Sequence, residues 1–505
     1  MRPSRRLVLG ALLVLALLLR VAFILLRGDL IGGDEAVVGL MALKIAAGEA
    51  FPLIFWEAHY GGTLAAYLCA GAFLIFDPST VVLRAAVLPL ELVGITALVS
   101  AARTLWGTKA AVVGGLWLAA GPPPLFLFGA QAFTVYLELL AFGGLTLWLA
   151  IRLRAAPRSG VGSWSGLGAV AGFGAYASPF LLPLFLGALW ALRRAGTRLA
   201  GRTGLAVAAA FLLGVSPLIV YNTLAPGATA LRLGSRVLDV SAGELTGSAS
   251  LVTLVGAKAL AYGQRLARYP LVLLDNVPAA AGLPAWGAGV AAVVVLGLVR
   301  VARAPAAAVD ASFGTALLAG CGLAMLLFVW LAGLDAPRHL FPFYLLAPLG
   351  LAALWASTTG WAKRCLAAGI LVLLASDVAG TAGAVRIADP DVAGLAAVLE
   401  QRGVRFVYTD YTIAYPLVFL SRERIVASPA AGPTNVERYP PYTRAVAAAP
   451  RPAYVFARET EASRVFVREM RRAGRGFAHE ALGEFDLYVP DARVDPHELA
   501  LVRKF

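Results

Sequence analysis

Charge is scarce in this sequence. Asp, Glu, Lys and Arg make up only 14% of its 505 residues, against roughly 25% in an ordinary soluble chain. That shortage excludes a string of water-soluble domains over most of the length. Cysteine is scarce too. Cys69, Cys321 and Cys365 lie in apolar surroundings without metal-ligand spacing, so neither a disulfide framework nor a zinc site is indicated, and each reads as a small hydrophobe. No Gly-rich phosphate cradle of the Walker type occurs, so a nucleoside triphosphate energy source has no support. Internal repeats and a low-complexity tail are also missing.

Apolar residues fill the gap. They make up 60% of the chain, and the mean hydropathy is +0.78. Almost uncharged runs of about twenty residues recur from Leu7 to Gly383, the pattern of membrane-spanning helices. The net charge of +14 would suit a nucleic-acid binder if it formed one basic face. Here the arginines form short clusters between apolar runs, as cytoplasmic loops of membrane proteins do, so no nucleic-acid partner is expected. Arg2, Arg5 and Arg6 precede an apolar run to Leu26 that no small-residue cleavage site follows; it reads as an uncleaved first span with a cytoplasmic N-terminus.

Charge also sets the sidedness. Residues 61–76 form an apolar run too short for a comfortable span. If it crossed, Arg103, Lys109, Arg152, Arg154 and Arg158 would fall outside; if it lies on the outer surface, they all fall inside, as the positive-inside rule requires. The remaining spans are then 80–102, 110–128, 132–151, 165–178, 179–192, 203–221, 284–302, 313–334, 341–357 and 365–383. The expected fold is mainly α, a polytopic transmembrane helical bundle of about 11 spans in the plasma (inner) membrane, with outer-surface helices in a first outer loop, 27–79. Composition turns soluble after residue 385, dividing the chain into 1–385 and 386–505. In the latter, Asp391 can cap a helix to about Gln401. Strands are expected at Arg405–Thr409 and Arg424–Ala427 around a second helix, then at Ala453–Ala457 and around Phe477 and Leu487, with a further helix over Glu459–Arg472. This predicts a small C-terminal α/β domain on the extracytoplasmic side.

Several residues could carry chemistry. Gly32-Gly33-Asp34-Glu35 follows the first span. Its adjacent carboxylates suit a general base facing an entry site, or simply acidic residues complementing the dipole of a helix N-terminus. In Phe55-Trp56-Glu57-Ala58-His59-Tyr60, His59 and the aromatics suit a headgroup pocket or an interfacial aromatic belt. Glu138 is ionisable within a span, which marks a functional candidate. Arg84 and Glu91, seven residues apart on one helix face, read as structural ions that pair with neighbouring helices. Arg338 and His339, at an outer span boundary, suit a lipid phosphate held by a guanidinium fork or snorkelling side chains. Asp389-Pro390-Asp391 looks like an acidic metal triplet, but proline near a helix start is the simpler reading.

Taken together, Gly33-Asp34-Glu35, His59-Tyr60-Gly61-Gly62, Glu138 and Arg338-His339-Leu340-Phe341-Pro342 resemble the GT-C class of membrane glycosyltransferases, in the branch of protein mannosyltransferases and lipid A aminoarabinose transferases. The resemblance covers about residues 1–385. It implies surface "jaw" helices in the first outer loop, a polyprenyl-phosphate sugar donor, and a glycan, lipid or protein acceptor outside the cytoplasm. It implies Asp34 as catalytic base, Glu35 as supporting acid and Arg338 as the holder of the donor phosphate. Tyr60 and Gly61 stand where many relatives have two prolines. Gln131 and Glu138 stand where many have an Arg-x-Asp pattern, which suggests another acceptor subgroup. No cofactor is required, and a divalent metal, used by some class members, is compatible. The competing readings are a lipid or solute transporter or flippase, which also needs many spans but commonly shows paired repeats, and a non-catalytic binder of lipid-linked sugar.

Overall fold

The structure, a computed structural model, describes residues 5–132, 135–156, 159–197, 199, 201–238, 309–331, 341–385, 390–429 and 436–499. The expected span 284–302 therefore lies outside the described residues. The chain divides into two compact units. The first comprises Met1–Phe23, His59–Leu64 and Val87–Ala384; the second comprises Ile24–Ala58, Ala65–Ala86 and Val385–Phe505.

The helices of the apolar region are α1 (Arg5–Arg27), α2 (Gly33–Ala46), α3 (Leu64–Phe73), α4 (Thr80–Ala120), α5 (Pro123–Gly129), α6 (Tyr136–Ala155), α7 (Val161–Ala177), α8 (Leu181–Arg194), α9 (Gly201–Gly214), α10 (Ser216–Leu224), α11 (Ala228–Leu238), α12 (Val309–Leu331), α13 (Phe343–Ser357) and α14 (Gly360–Val385). Among the described residues, four helices are long and apolar enough to cross a membrane: Leu7–Arg27, Thr80–Ala120, Tyr136–Ala155 and Gly360–Gly383. The α9–α10 pair, bent by 53°, makes a fifth if counted as one span. Others expected to span are shorter; α7, α8 and α13 have 17, 14 and 15 residues. At 1.5 Å per residue, these fall short of a hydrocarbon core about 30 Å thick. The α3 helix has 10 residues, about 15 Å of length.

Glycine and proline punctuate the apolar runs. The 41 residues of α4 would reach about 60 Å if unbroken. They break at Gly107, whose φ of 82° and ψ of 176° lie in a region essentially reserved for glycine. The break falls between the two spans expected over 80–102 and 110–128. The second ends earlier than expected, at Ala120, because Pro122, Pro123 and Pro124 cannot continue an α-helical ladder. The C-terminal carbonyls of α4 would be left without partners. The buried Arg20 of α1 meets them: its guanidinium donates to Leu118 O at 2.8 Å and to Ala119 O, and pairs with Glu91 at 2.8 Å. Glu91 thus pairs with another helix, as its place in the sequence suggested.

Close helix packing in the first unit rests on absent side chains. Gly168 and Gly172 of α7 lie one turn apart and face Val207 and Phe211 of α9. An added Cβ would stand 2.2 Å from Val207 O and 2.1 Å from Phe211 O. Small residues spaced by four let backbones approach where lipid supplies no hydrophobic drive. Cys69 and Cys321 are buried, whereas Cys365 of α14 is exposed.

Within the second unit, residues beyond 390 fold as α15 (Val392–Gln401), β1 (Phe406–Tyr408), α16 (Tyr411–Leu420), β2 (Val426–Ser428), α17 (Pro440–Ala448), β3 (Ala453–Ala457), α18 (Glu461–Arg472), β4 (Phe477–Leu482) and β5 (Phe485–Pro490). The strand order is β2-β1-β3-β5-β4. The first three strands are parallel, and β5 runs antiparallel to both β3 and β4. Asp391 caps α15 as expected, accepting from Gly394 N at 2.9 Å. The sheet packs Tyr408, Tyr454, Phe456 and Tyr488 against Phe466 and Met470 of α18. The Pro440–Ala448 helix is an addition to the expected elements, opened by two prolines at its first turn.

Candidate functional site

The α2 helix begins at Gly33 after Gly32, which offers no side-chain cap. Asp34 and Glu35 fill the first turn, where negative charge meets the positive end of the helix dipole. These adjacent carboxylates nevertheless have different partners. Glu35 is 1% exposed and is gripped bidentately by Arg84 of α4, which is 0% exposed. Arg84 Nε reaches Glu35 Oε1 and Arg84 Nη2 reaches Oε2, both at 2.9 Å. The same guanidinium donates to the carbonyls of Gly28 and Leu30, fastening the turn that leads into α2. Fork-to-fork geometry of this kind is the strong form of the ion pair.

Asp34 keeps 25% of its side chain exposed. Its Oδ1 accepts a hydrogen bond from the Tyr411 hydroxyl at the start of α16, and Arg438 Nη2 lies 3.5 Å from the same oxygen. Asp410 caps α16 by accepting from Thr412 N at 2.7 Å, which sets the position of Tyr411. The Tyr411 ring lies directly against Gly33, where a Cβ would stand 2.6 Å from Cε1. Farther along the same two helices, a Cβ on Gly39 would meet Phe419 at 2.5 Å. Glycine on α2 therefore lets α16 approach. Burial, reinforced by the Asp34 charge, pushes the Tyr411 phenol well above the ordinary tyrosine range, so it remains a proton-bearing donor at neutral pH.

Arg438 is held from several sides. Its guanidinium carbon lies 5.0 Å from the Phe55 ring centroid, its Nη1 donates to Trp56 O at 3.4 Å, and its Nε is 3.4 Å from the Tyr411 oxygen. Its backbone N–H donates to the Tyr415 hydroxyl at 2.5 Å. Trp56 stacks on Tyr439, with ring centroids 4.4 Å apart. Next to this group, Lys44 bridges Glu49 at 2.9 Å and Glu423 at 2.8 Å, and Tyr442 donates to Glu423 at 2.7 Å.

The remaining expected site residues divide otherwise. His59 and Tyr60 belong to the first unit. His59 adopts a φ of 61°, its Nδ1 lies 2.7 Å from the Tyr221 hydroxyl, and its carbonyl accepts from Thr229 at 2.6 Å. Glu138, also in the first unit, is fully buried at the start of α6, where Oε2 accepts the Val135 N–H at 3.3 Å. Arg338 and His339 lie outside the described residues. A cavity of about 290 Å³ in the second unit is lined by Asp29, Ser79, Thr80, Glu400, Arg422 and Arg424 among others. Its arginines are engaged, Arg422 with Asp77 and Arg424 with Glu400.

The cluster thus joins Asp34 and Glu35 to three residues that the sequence reading did not place there. Arg84 carried a signal, being a cation in an apolar run. Tyr411 and Arg438 carried none, since they stand 377 and 404 residues from Asp34. Among the described residues, the groups that meet Asp34 are the Tyr411 phenol and the Arg438 guanidinium. Among the described residues, no group of three His, Cys, Asp or Glu side chains could hold a metal ion. The arrangement can accept a proton at Asp34 from a group entering its exposed side.

The sequence matches no protein-family model and no curated protein. The fold does find counterparts. It is similar to ArnT from Cupriavidus metallidurans bound to undecaprenyl phosphate, with a TM-score of 0.61, 13% identity, and coverage of 99% of this chain and 100% of that one. It is similar to the archaeal oligosaccharyltransferase AglB from Archaeoglobus fulgidus in complex with an inhibitory peptide and a dolichol-phosphate: TM-score 0.53, 14% identity, 95% of this chain and 74% of that one. An Archaeoglobus fulgidus oligosaccharyltransferase complex with zinc and sulfate matches at a TM-score of 0.50, 13% identity, 94% of this chain and 72% of that one. These are GT-C glycosyltransferases, and the chain has their fold.

Proposed function

We propose that this chain, having the GT-C glycosyltransferase fold, transfers a sugar from a polyprenyl-phosphate donor to an acceptor hydroxyl outside the cytoplasm, with Asp34 as general base. The observation that carries the reading is the contrast between two adjacent carboxylates. Glu35 is buried and consumed by Arg84, whereas Asp34 is partly exposed. Among the described residues, both contacts on Asp34 fall on Oδ1, and Oδ2 is the oxygen offered to an incoming group. A base must lie within hydrogen-bond reach of the proton it removes, and Asp34 alone of the two can present an oxygen to substrate. The polyprenyl phosphates in the similar structures support the donor class.

The reaction is a single inverting displacement. The acceptor oxygen attacks the anomeric carbon and gives its proton to Asp34. The bond from that carbon to the phosphate oxygen breaks, and its electron pair leaves with the polyprenyl phosphate. Asp34 then releases the proton to water. Negative charge grows on the leaving phosphate, where prepositioned cations lower the barrier. Arg338, with His59 or His339, is assigned to that task by the resemblance of the surrounding motif. Glu35 fixes the start of α2 and so the direction of Asp34. Residues 386–505 form an extracytoplasmic domain, and the basic loops face the cytoplasm.

The test is transfer from radiolabelled polyprenyl-phosphate hexoses and pentoses in membranes bearing wild type or Asp34→Asn. A general base contributes roughly 10²–10⁴-fold, and a loss of that size is expected. Equal transfer by both proteins removes Asp34 from the mechanism. No transfer by folded wild type across a broad donor and acceptor panel turns the reading to a transporter.

A further inference from the structure

We propose that Tyr411 and Arg438, both from the C-terminal part of the chain, are positioning residues that fasten one oxygen of Asp34 and turn the other toward the acceptor. The inference rests on the assignment of Asp34 as base. Four observations within the second unit carry it. The Tyr411 hydroxyl and Arg438 Nη2 converge on Oδ1. Neither is a loose surface group: Tyr411 is seated on Gly33, where no side chain could fit beneath it, and Arg438 is 16% exposed. The Arg438 guanidinium is steered by the Phe55 ring and Trp56 O, and its backbone N–H is held by the Tyr415 hydroxyl. Finally, Asp34 keeps 25% of its side chain exposed, and neither Tyr411 nor Arg438 contacts its Oδ2 among the described residues.

A free carboxylate rotates about its terminal bond, and the two-fold torsion there is soft. Hydrogen bonds to one oxygen stop that rotation, and charge-assisted ones hold most firmly. A small misplacement of a catalytic group costs rate rather than substrate affinity. The phenol suits the task because it stays protonated and so remains a donor beside the carboxylate. In consequence, the C-terminal segment is a working part of the active site, and the correct docking of α16 on α2 becomes a condition for catalysis.

The experiment uses the full chain in membranes with the radiolabelled donor panel above. Tyr411→Phe keeps the ring against Gly33 and removes only the hydroxyl. It is expected to lower kcat roughly 10- to 100-fold, the range of a hydrogen bond to a charged group, with donor KM changed less than about twofold. Arg438→Gln should lower kcat in the same way, and Arg438→Lys should recover part of it. Wild-type or faster transfer by Tyr411→Phe overturns the proposal. So does a loss matched by a rise in donor KM or by a fall in thermal midpoint, because both mark a merely structural role. If Tyr411→Phe does not fold, the Arg438 pair applies the same criteria. Asp34→Asn runs alongside: if it transfers at the wild-type rate, the base assignment itself has failed, whatever the Tyr411 variant does.

Discussion

Replacing Glu35 by Gln, leaving Arg84 in place, tests the division of labour between the two carboxylates. Glu35 and Arg84 are 1% and 0% exposed and share two contacts of 2.9 Å. Removing one partner of a buried pair leaves an uncompensated charge and costs about 3–5 kcal/mol. Glutamine still accepts one hydrogen bond, so about 3 kcal/mol, the low end, is expected. The damage should be local at first, because Arg84 also ties the carbonyls of Gly28 and Leu30. Limited proteolysis should therefore cut between residues 27 and 33 before the protein unfolds globally. The double replacement Glu35→Leu with Arg84→Met removes both charges and should recover most of the lost stability. Thermal midpoints of detergent-solubilised protein, followed by size-exclusion elution, report the ranking of the three proteins. Transfer activity is the companion readout: the double variant should retain far more activity than Asp34→Asn. If Glu35→Gln unfolds with the wild type, or if the double variant is less stable than the single, the buried-pair reasoning is refuted. If the double variant is stable yet as inactive as Asp34→Asn, Glu35 belongs to the chemistry.

Two further outcomes follow from the packing and the buried phenols. Gly172→Leu would drive a Cβ to 2.1 Å from Phe211 O, whereas Gly162→Leu meets nothing within 4 Å. The first should lower the yield of folded protein sharply and the second should leave it unchanged, measured by monodisperse elution after solubilisation. Burial pushes the Tyr415 phenol from 10.0 up to about 12, so the folded state holds its proton more tightly than the unfolded chain does. Stability from this residue is complete below pH 10 and is lost as the pH rises from 10 toward 12, by about 1.4 kcal/mol per unit. Tyr415→Phe should flatten that decline in a denaturant titration run across the same interval.

Composition and local pattern determined much of this protein by themselves. Leu7 to Arg27 is apolar and helical, because lipid tails offer its backbone no hydrogen-bond partner and a helix satisfies its own backbone. The soluble C-terminal elements were legible for similar local reasons. Asp391 caps α15, and Ala453–Ala457 forms β3 over the residues expected for it. Gly32-Gly33-Asp34-Glu35 also stood out unaided, as an acidic pair beside an apolar boundary. What local pattern could not supply was the difference between the two carboxylates. That depends on Arg84 for Glu35, and on Tyr411 and Arg438 for Asp34. These partners sit on separate helices or hundreds of residues away, and their side-chain types are common on any polar surface. The same holds for Gly168 and Gly172, unremarkable in a glycine-rich chain until α9 is laid against them. Local sequence selects helix, strand and turn because backbone preferences act over a few residues. Which oxygen of Asp34 is fastened and which is offered is decided only when distant segments pack, since a hydrogen bond needs its partner within about 3 Å.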